Sequence, residues 1–246
     1  MRGWWQEIFD LVLPADCAGC GRPGGTLCDR CHGALRGSGA RRVVPSPVPP
    51  GLPVVHAAVE YADEARAVLL AHKERGALRL ARPLGEALAG AVRSVCAAPR
   101  PGAGSGRGSR AAGAGGGPLL LVPVPSARRA VGARGHDPAR RIALAAAAVL
   151  RGGGRPARVP TVLRQLRRVT DQSGLGARQR RANVSGALGV VPGGDRLLAA
   201  GPVVLVDDLM TTGASLAEAA RAVTAAGGRV AGAAVVAAPL VRTNRN

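Results

Sequence analysis

Aromatic residues, lysine and long apolar runs are all scarce in this 246-residue chain. Only 2% of the residues are aromatic, which leaves few flat rings on which nucleic-acid bases could stack. No apolar run reaches the ~18–20 residues that a membrane-spanning helix requires, so we expect no membrane span. Acids interrupt the apolar N-terminus, which argues against a secretory signal, and five cysteines are too few for a disulfide scaffold. These absences favour a cytoplasmic protein.

The charge of the chain is strongly one-sided. It has 34 basic residues, of which only Lys73 is a lysine, against 15 acidic residues, and its formal net charge is +19. Alanine and glycine are also abundant, so part of the arginine excess is explained equally well by coding bias. The position of the charge is more informative, because residues 128–182 hold 14 arginines and 2 aspartates. Such a concentration favours a phosphate-rich partner.

Composition divides the chain into segments. Apolar residues at helical spacing over 4–13 predict a short amphipathic helix, which together with the cysteines that follow defines an N-terminal module over 1–40. Five prolines predict an extended linker over 41–53. The main domain would then occupy 54–246. Within it, residues 99–118 contain eight glycines and no large apolar side chain, which predicts a flexible surface loop.

Apolar strands alternate with helices after this loop. Strands are predicted at 119–125 and 202–208, and a helix at 215–227. Asp137 and Pro138 form an N-cap and first-turn pair for another helix. The alternation predicts an α/β fold with a parallel sheet flanked by helices, in which ligands bind at the carboxyl ends of strands. Further strands are predicted at 54–61, 159–163, 187–191 and 229–238, and further helices at 63–73 and 80–95.

Four of the cysteines form two closely spaced pairs, Cys17-x2-Cys20 and Cys28-x2-Cys31. Two such pairs can place four thiolates around one tetrahedral ion, which predicts a closed, structural Zn²⁺ site. The alternatives are a redox-active pair and four unrelated cysteines, and the paired spacing disfavours both. The fifth cysteine, Cys96, lies in a predicted helix and is expected to be a small core residue.

The most informative segment is an apolar strand that ends in Asp207 and Asp208. A short loop with hydroxyl groups and a glycine follows and opens a helix. Hydroxyls, converging backbone amides and the positive end of the helix dipole together predict a pocket for a phosphate monoester, and the paired acids suit the hydroxyls of a ribose. An ordinary strand–turn–helix explains only part of the pattern. The residues predicted to bind are Asp207, Asp208, Thr211, Thr212, Gly213, Ala214 and Ser215.

This segment resembles the phosphoribosyl-pyrophosphate signature of type I phosphoribosyltransferases. The N-terminal cysteines, together with the stretches 61–76, 121–135 and 167–188, are similar to the ComF competence-protein family. The resemblance covers most of the chain outside its linkers. It implies a type I phosphoribosyltransferase-like parallel sheet flanked by helices, with a small N-terminal zinc-binding module.

The resemblance also implies roles for single residues. Asp207 and Asp208 would hold the ribose, and 211–215 would hold the 5-phosphate. Arg128 and Arg129, in the turn after the strand at 119–125, would face the pyrophosphate, which Mg²⁺ accompanies. The chain departs from the family in two places. His136-Asp137-Pro138 stands where the family commonly has Phe-Asn-Gln, and Thr211 stands where purine-type transferases carry an acid, so no general base is identified.

Two functions follow from these expectations. The first is a ComF-like protein that binds phosphoribosyl pyrophosphate and acts in DNA uptake by handling single-stranded DNA, with competence-machinery proteins as partners. The alternative is an active phosphoribosyltransferase in nucleotide salvage. His56, His72 and His136 are candidates for acid–base work, although a lone histidine is more often structural. The arginines expected to contact single-stranded DNA are Arg164, Arg167, Arg168, Arg178, Arg180 and Arg181.

Overall fold

A six-stranded sheet organises the chain. The computed structural model describes residues 16–37, 39–98, 117–126, 131–132, 135–167 and 184–239. The strands lie in the order β1-β2-β8-β7-β3-β4, and all neighbours are parallel except the antiparallel pair β1–β2. The mixed α/β fold with a mostly parallel sheet is therefore confirmed. The strands are β1 (Arg41–Val43), β2 (Val55–Glu60), β3 (Leu119–Pro123), β4 (Ala157–Arg158), β7 (Val203–Leu209) and β8 (Val230–Ala238), and a separate antiparallel hairpin consists of β5 (Leu163–Gln165) and β6 (Leu188–Val190).

The central strands are continuous apolar runs because helices or loops cover both faces of the sheet. All five residues of β3 are buried, and Val122 pairs with Leu205 in the adjacent β7. The strand predicted at 159–163 was misplaced, since β4 ends before it and β5 begins at its last residue. Pro160 explains the break, because proline has no N–H to donate to a neighbouring strand.

Helices follow β2, β3 and β7 of the sheet. The cap of α4 is confirmed, since Asp137 accepts a hydrogen bond of 3.1 Å from the backbone N–H of Arg140 and Pro138 begins the helix. The last helix starts directly after Gly213 and ends shortly before Gly227, whose φ is +79°. The helices are α1 (Asp29–Arg36), α2 (Asp63–Glu74), α3 (Ala81–Ala97), α4 (Pro138–Gly152), α5 (Gly194–Leu198) and α6 (Ala214–Ala225).

The two faces of the sheet carry different helices. Helices α2, α3 and α4 pack on one face, and α6 packs on the other together with the β5–β6 hairpin. Helices α3 and α4 cross closely at Gly85, where a Cβ atom would lie 2.4 Å from the Cβ of Ala145. Cys96 is partly buried and packs against the core on the α3 face.

The N-terminal part of the chain belongs to the same core. Leu35 on α1 is 1% exposed and packs in one cluster with Leu84 and Leu88 of α3. The segment expected to be a linker over 41–53 begins instead as the edge strand β1, in which Val43 pairs with Val55. Such a short edge strand leaves almost no apolar pattern in the sequence. The amphipathic helix predicted at 4–13 and nearly all of the glycine-rich loop lie outside the described residues.

None of the helices that the structure describes is both long and apolar enough to cross a membrane.

Candidate functional site

The candidate site lies where β3 and β7 end side by side. Helix α4 follows β3 onto one face of the sheet, whereas α6 follows β7 onto the opposite face. The connections therefore diverge and open a crevice between the two strand ends. Open α/β sheets bind their ligands at such a switch point, outside the carboxyl ends of the strands. The predicted segment 207–215 lies at this crevice.

Asp207 and Asp208 end β7 on opposite faces of the sheet, since successive side chains of a strand alternate. The backbone N–H of Asp208 donates a 2.8 Å hydrogen bond to Oδ1 of Asp207, which turns that carboxyl back toward its neighbour. Burial, followed by the negative charge of Asp208, raises the pKa of Asp207 well above its usual range. The oxygens of both carboxyls can accept hydrogen bonds from hydroxyl groups of a ligand.

The loop after Asp208 leads directly into the N-terminus of α6. Gly213 is the N-cap and has φ +72°, a left-handed conformation that glycine adopts without strain. Thr211 is exposed, whereas Thr212 and Ser215 are half-buried and Ala214 is buried. The first N–H groups of a helix have no partner within it, so this loop offers amide and hydroxyl donors to an anion.

The proline-rich segment (44–53) packs against this loop. A Cβ atom at Gly213 would lie 3.1 Å from Cδ1 of Leu52 and 3.4 Å from Cγ of Pro45. The segment that was expected to be a linker is thus a neighbour of the loop that precedes α6. Composition gives no signal for such a contact, which depends on how β1 places the segment.

Lys73 is the site residue that sequence analysis missed. It lies in the last turn of α2, and its Nζ is 2.8 Å from Oδ2 of Asp208, whose side chain is only 7% exposed. One signal in the sequence was available, because Lys73 is the single lysine among 34 basic residues.

His72 and His136 connect the end of α2 to the loop before α4. The Nε2–H of His136 donates to the backbone carbonyl of His72 over 3.1 Å, and the Nδ1–H of His72 donates to the carbonyl of Ala77 over 3.3 Å. His72 is fully buried, and this burial lowers its pKa so that the ring is neutral at pH 7. Both histidines therefore act in the structure as buried connectors.

The basic residues predicted at the site are only partly described. Arg128, Arg129, Arg168, Arg178, Arg180 and Arg181 lie outside the described residues. Arg164 is exposed on β5. Arg167 follows β5, and its guanidinium donates a 2.7 Å hydrogen bond to the carbonyl of Ser185 at the other side of the hairpin.

Glu218 and Arg221 anchor the hairpin to α6. Oε1 of Glu218 accepts a 3.1 Å hydrogen bond from the N–H of Leu188, and Arg221 donates to both oxygens of Glu218 over 2.7 and 2.8 Å. Burial raises the pKa of Glu218, but the hydrogen bonds from Arg221 and Leu188 outweigh it and leave that pKa lowered. The helix that follows the loop 211–213 is thus bonded to the β5–β6 hairpin.

The four paired cysteines form a cluster that could hold a metal ion. Their sulfur atoms all lie within 4.8 Å of one another, and the Sγ of Cys28 is 3.6 Å from that of Cys17 and from that of Cys20. Tetrahedral coordination with metal–sulfur bonds of ~2.3 Å requires sulfur–sulfur distances of about 3.8 Å. The spacing of the thiols therefore fits four ligands around one ion.

The thiols of this cluster differ in acidity. Burial raises the pKa of the Cys17 thiol, but hydrogen bonds from the N–H groups of Cys28, Cys20 and Gly19 outweigh it and lower that pKa to about 6. Burial and the neighbouring thiols raise the pKa of Cys31. A bound dication would favour the thiolate at every position, since metal ligands must be deprotonated.

Ion pairs attach this cluster to the main domain. Arg30 pairs with Glu64 at the start of α2. His32 and Arg36 both approach Oε2 of Glu86 on α3, at 3.0 and 3.2 Å. A Cβ at Gly19 would lie 2.8 Å from Sγ of Cys31, so glycine is required for the chain to fold this tightly around the sulfurs.

Comparison with known proteins found no protein-family model that matches the chain and no significant sequence match among curated proteins. The fold by itself defines a mixed α/β protein with a mostly parallel six-stranded sheet flanked by helices and an N-terminal cluster of four cysteines that could hold a metal ion.

Proposed function

We propose that the chain has a type I phosphoribosyltransferase-like fold and binds phosphoribosyl pyrophosphate in the crevice between β3 and β7. The observation that carries the proposal is the continuous arrangement of Asp207, Asp208 and the glycine-capped loop at a switch point of the sheet. The carboxyls accept hydrogen bonds from the ribose hydroxyls. The loop 211–215 holds the 5-phosphate with its amides and hydroxyls, aided by the dipole of α6.

In this proposal Mg²⁺ binds together with the ligand, as a complex with its phosphates. Carboxylate oxygens are hard ligands that suit Mg²⁺, and the ion is usually bound through substrate phosphates with one or two carboxylates. The diphosphate of the ligand would supply oxygens to the ion. Arg128 and Arg129 would add positive charge to the diphosphate from the turn after β3.

The ion in the four-cysteine cluster is Zn²⁺ in this proposal. Four thiolates at tetrahedral spacing complete its coordination and leave no position for a substrate, so its role is structural.

The biological role that fits best is that of a ComF-like protein in DNA uptake, acting on single-stranded DNA. The support is the net positive charge of 128–182 and the position of the β5–β6 hairpin, which is bonded to the helix that follows the loop 211–213. Arg164 is exposed there and available to a phosphate backbone, whereas Arg167 has a partner within the hairpin. Competence-machinery proteins are the expected partners of such a role.

Isothermal titration calorimetry with phosphoribosyl pyrophosphate and Mg²⁺ tests the binding. The wild type should bind, and the double variant Asp207→Asn/Asp208→Asn should lose binding, because neutral amides accept hydrogen bonds from the ribose hydroxyls more weakly than carboxylates do. Asp195→Asn is the matched control, since Asp195 is an exposed acid on α5. Wild-type affinity in the double variant would place the site elsewhere.

A pyrophosphate-release assay over a panel of bases decides between the two roles. Release with one base would establish the alternative, an active phosphoribosyltransferase in nucleotide salvage. Binding without release over the whole panel would favour the role in handling DNA.

A further inference from the structure

The single lysine of the chain is placed at the most buried carboxylate of the candidate site. The Nζ of Lys73 is 2.8 Å from Oδ2 of Asp208, and the two side chains are 32% and 7% exposed. A buried carboxylate is strongly destabilised unless a cation or several hydrogen bonds compensate it. Lys73 supplies that compensation from another part of the chain, at the end of a helix on the α3–α4 face of the sheet.

The backbone that carries Lys73 is held in place. The preceding residue, His72, is fully buried, and its carbonyl accepts a 3.1 Å hydrogen bond from the ring of His136. The ring of His72 in turn donates to the carbonyl of Ala77 just beyond the helix. The end of α2 is therefore held in place, and the ammonium group of Lys73 extends from it to Asp208.

The ammonium changes what the acidic pair can bind. Two ionised carboxylates side by side at a strand end would attract a bare divalent cation. With Lys73 the same pair carries at most one net negative charge, and a second positive charge brought nearby is repelled. A ligand that has both hydroxyl donors and phosphate groups binds more tightly in this arrangement. The reason is that the Lys73 ammonium offsets the repulsion between the phosphates of the ligand and the carboxylates of the protein.

We propose that Lys73 is a positioning and specificity residue: it holds Asp208 as an oriented acceptor for a sugar hydroxyl and prevents the acidic pair from binding a free divalent cation. This inference rests on the proposed function for the identity of the sugar-phosphate ligand. The exclusion of the free cation is a property of the protein alone and is tested without that ligand.

The first experiment titrates Mn²⁺ into the ligand-free protein and follows the electron paramagnetic resonance signal of the free ion. Wild type and Lys73→Arg, which keeps the positive charge, should bind Mn²⁺ weakly. Lys73→Met should bind it at least tenfold more tightly, which is about 1.4 kcal/mol. Arg66→Met is the control, since Arg66 is an exposed cation on the same helix. Equal Mn²⁺ affinity in Lys73→Met and wild type would overturn the inference.

A double variant keeps the test decisive if Lys73→Met folds poorly. Lys73→Met/Asp208→Asn removes both charges, so it should regain the thermal stability lost in Lys73→Met and return Mn²⁺ binding to the weak level of the wild type. A double variant that is no more stable than Lys73→Met, or that binds Mn²⁺ as tightly, would show that the ammonium does not compensate Asp208.

Calorimetry with phosphoribosyl pyrophosphate and Mg²⁺ separates the inference from the proposed function. Lys73→Met should lose at least tenfold in affinity for this ligand, and Lys73→Arg should lose less. Absence of binding by the wild type would refute the proposed function and leave the Mn²⁺ result standing. Binding by the wild type with unchanged affinity in Lys73→Met would refute only the specificity role of Lys73.

Discussion

Removal of the proposed zinc should destabilise the whole domain without unfolding it. The four-cysteine cluster holds α1 in place, and α1 contributes Leu35 to the core shared with α3. Burial of a leucine stabilises a fold by ~1.5–3 kcal/mol. The ion pairs of His32 and Arg36 with Glu86 add about 1 kcal/mol at most, because their basic partners are substantially exposed.

These contributions amount to about 2–4 kcal/mol. A domain of this size loses ~2–4 °C in Tm for each kcal/mol, so metal removal should lower Tm by roughly 4–16 °C. The parallel sheet has its own core on both faces and should stay folded.

Differential scanning fluorimetry with and without a strong zinc chelator measures this shift, and elemental analysis of protein purified without chelator counts the metal. Cys31→Ser should reproduce the low Tm in the absence of chelator. Cys96→Ser, which alters a thiol outside the cluster, should leave the response to chelator unchanged. Protein without zinc, or zinc loss without a change in Tm, would refute the reasoning.

Three further predictions concern the loop, the hairpin and the basic stretch. Gly213→Ala places a Cβ atom at φ +72° against the proline-rich segment, so we expect a stability loss of ~1–2 kcal/mol. Calorimetry should also show weaker ligand binding by this variant. The control Gly90→Ala, which adds a Cβ in open space, should not lose stability. Glu218→Gln should cost about 1–2 kcal/mol at pH 7 by denaturant unfolding. The pKa of Glu218 is lower in the folded state than the ordinary carboxyl value of ~4.3. The ionised carboxylate therefore contributes its full stabilisation above that ordinary value and loses it as the pH falls through the lowered pKa. The difference in stability between Glu218→Gln and wild type should therefore vanish in acid. Replacing Arg178, Arg180 and Arg181 together with Gln should reduce the salt dependence of single-stranded DNA binding by up to about three counterion units, and an unchanged slope would remove that stretch from the DNA path.

The strand and loop of the candidate site were predictable because their signal is local. The apolar run of β7, its terminal acids and the glycine before α6 stand together in the sequence. The ion pair of Lys73 with Asp208 was not predictable in the same way, since it depends on how α2 packs over the sheet. A helix pattern indicates which face is buried but not which distant strand end its last turn reaches.

The N-terminal third shows the same limit. The cysteine spacing predicted a cluster, and the structure brings the four sulfurs together. Neither the docking of α1 on α3 nor the edge strand β1 has a local pattern strong enough to predict it. Leu35 lies in a short helix that is mostly polar, and β1 is a three-residue strand that is followed by a proline-rich segment.

The β5–β6 hairpin brings together residues that are far apart in the chain. The N–H of Leu166 donates to the carbonyl of Ala187 over 2.9 Å, and Arg167 donates to the carbonyl of Ser185, so residues 166–167 and 185–187 are adjacent. Glu218 and Arg221 bond the same hairpin to α6 through Leu188. A short linker can therefore connect residues 167 and 184, and a deletion made in this way would measure directly what residues 168–183 contribute to binding.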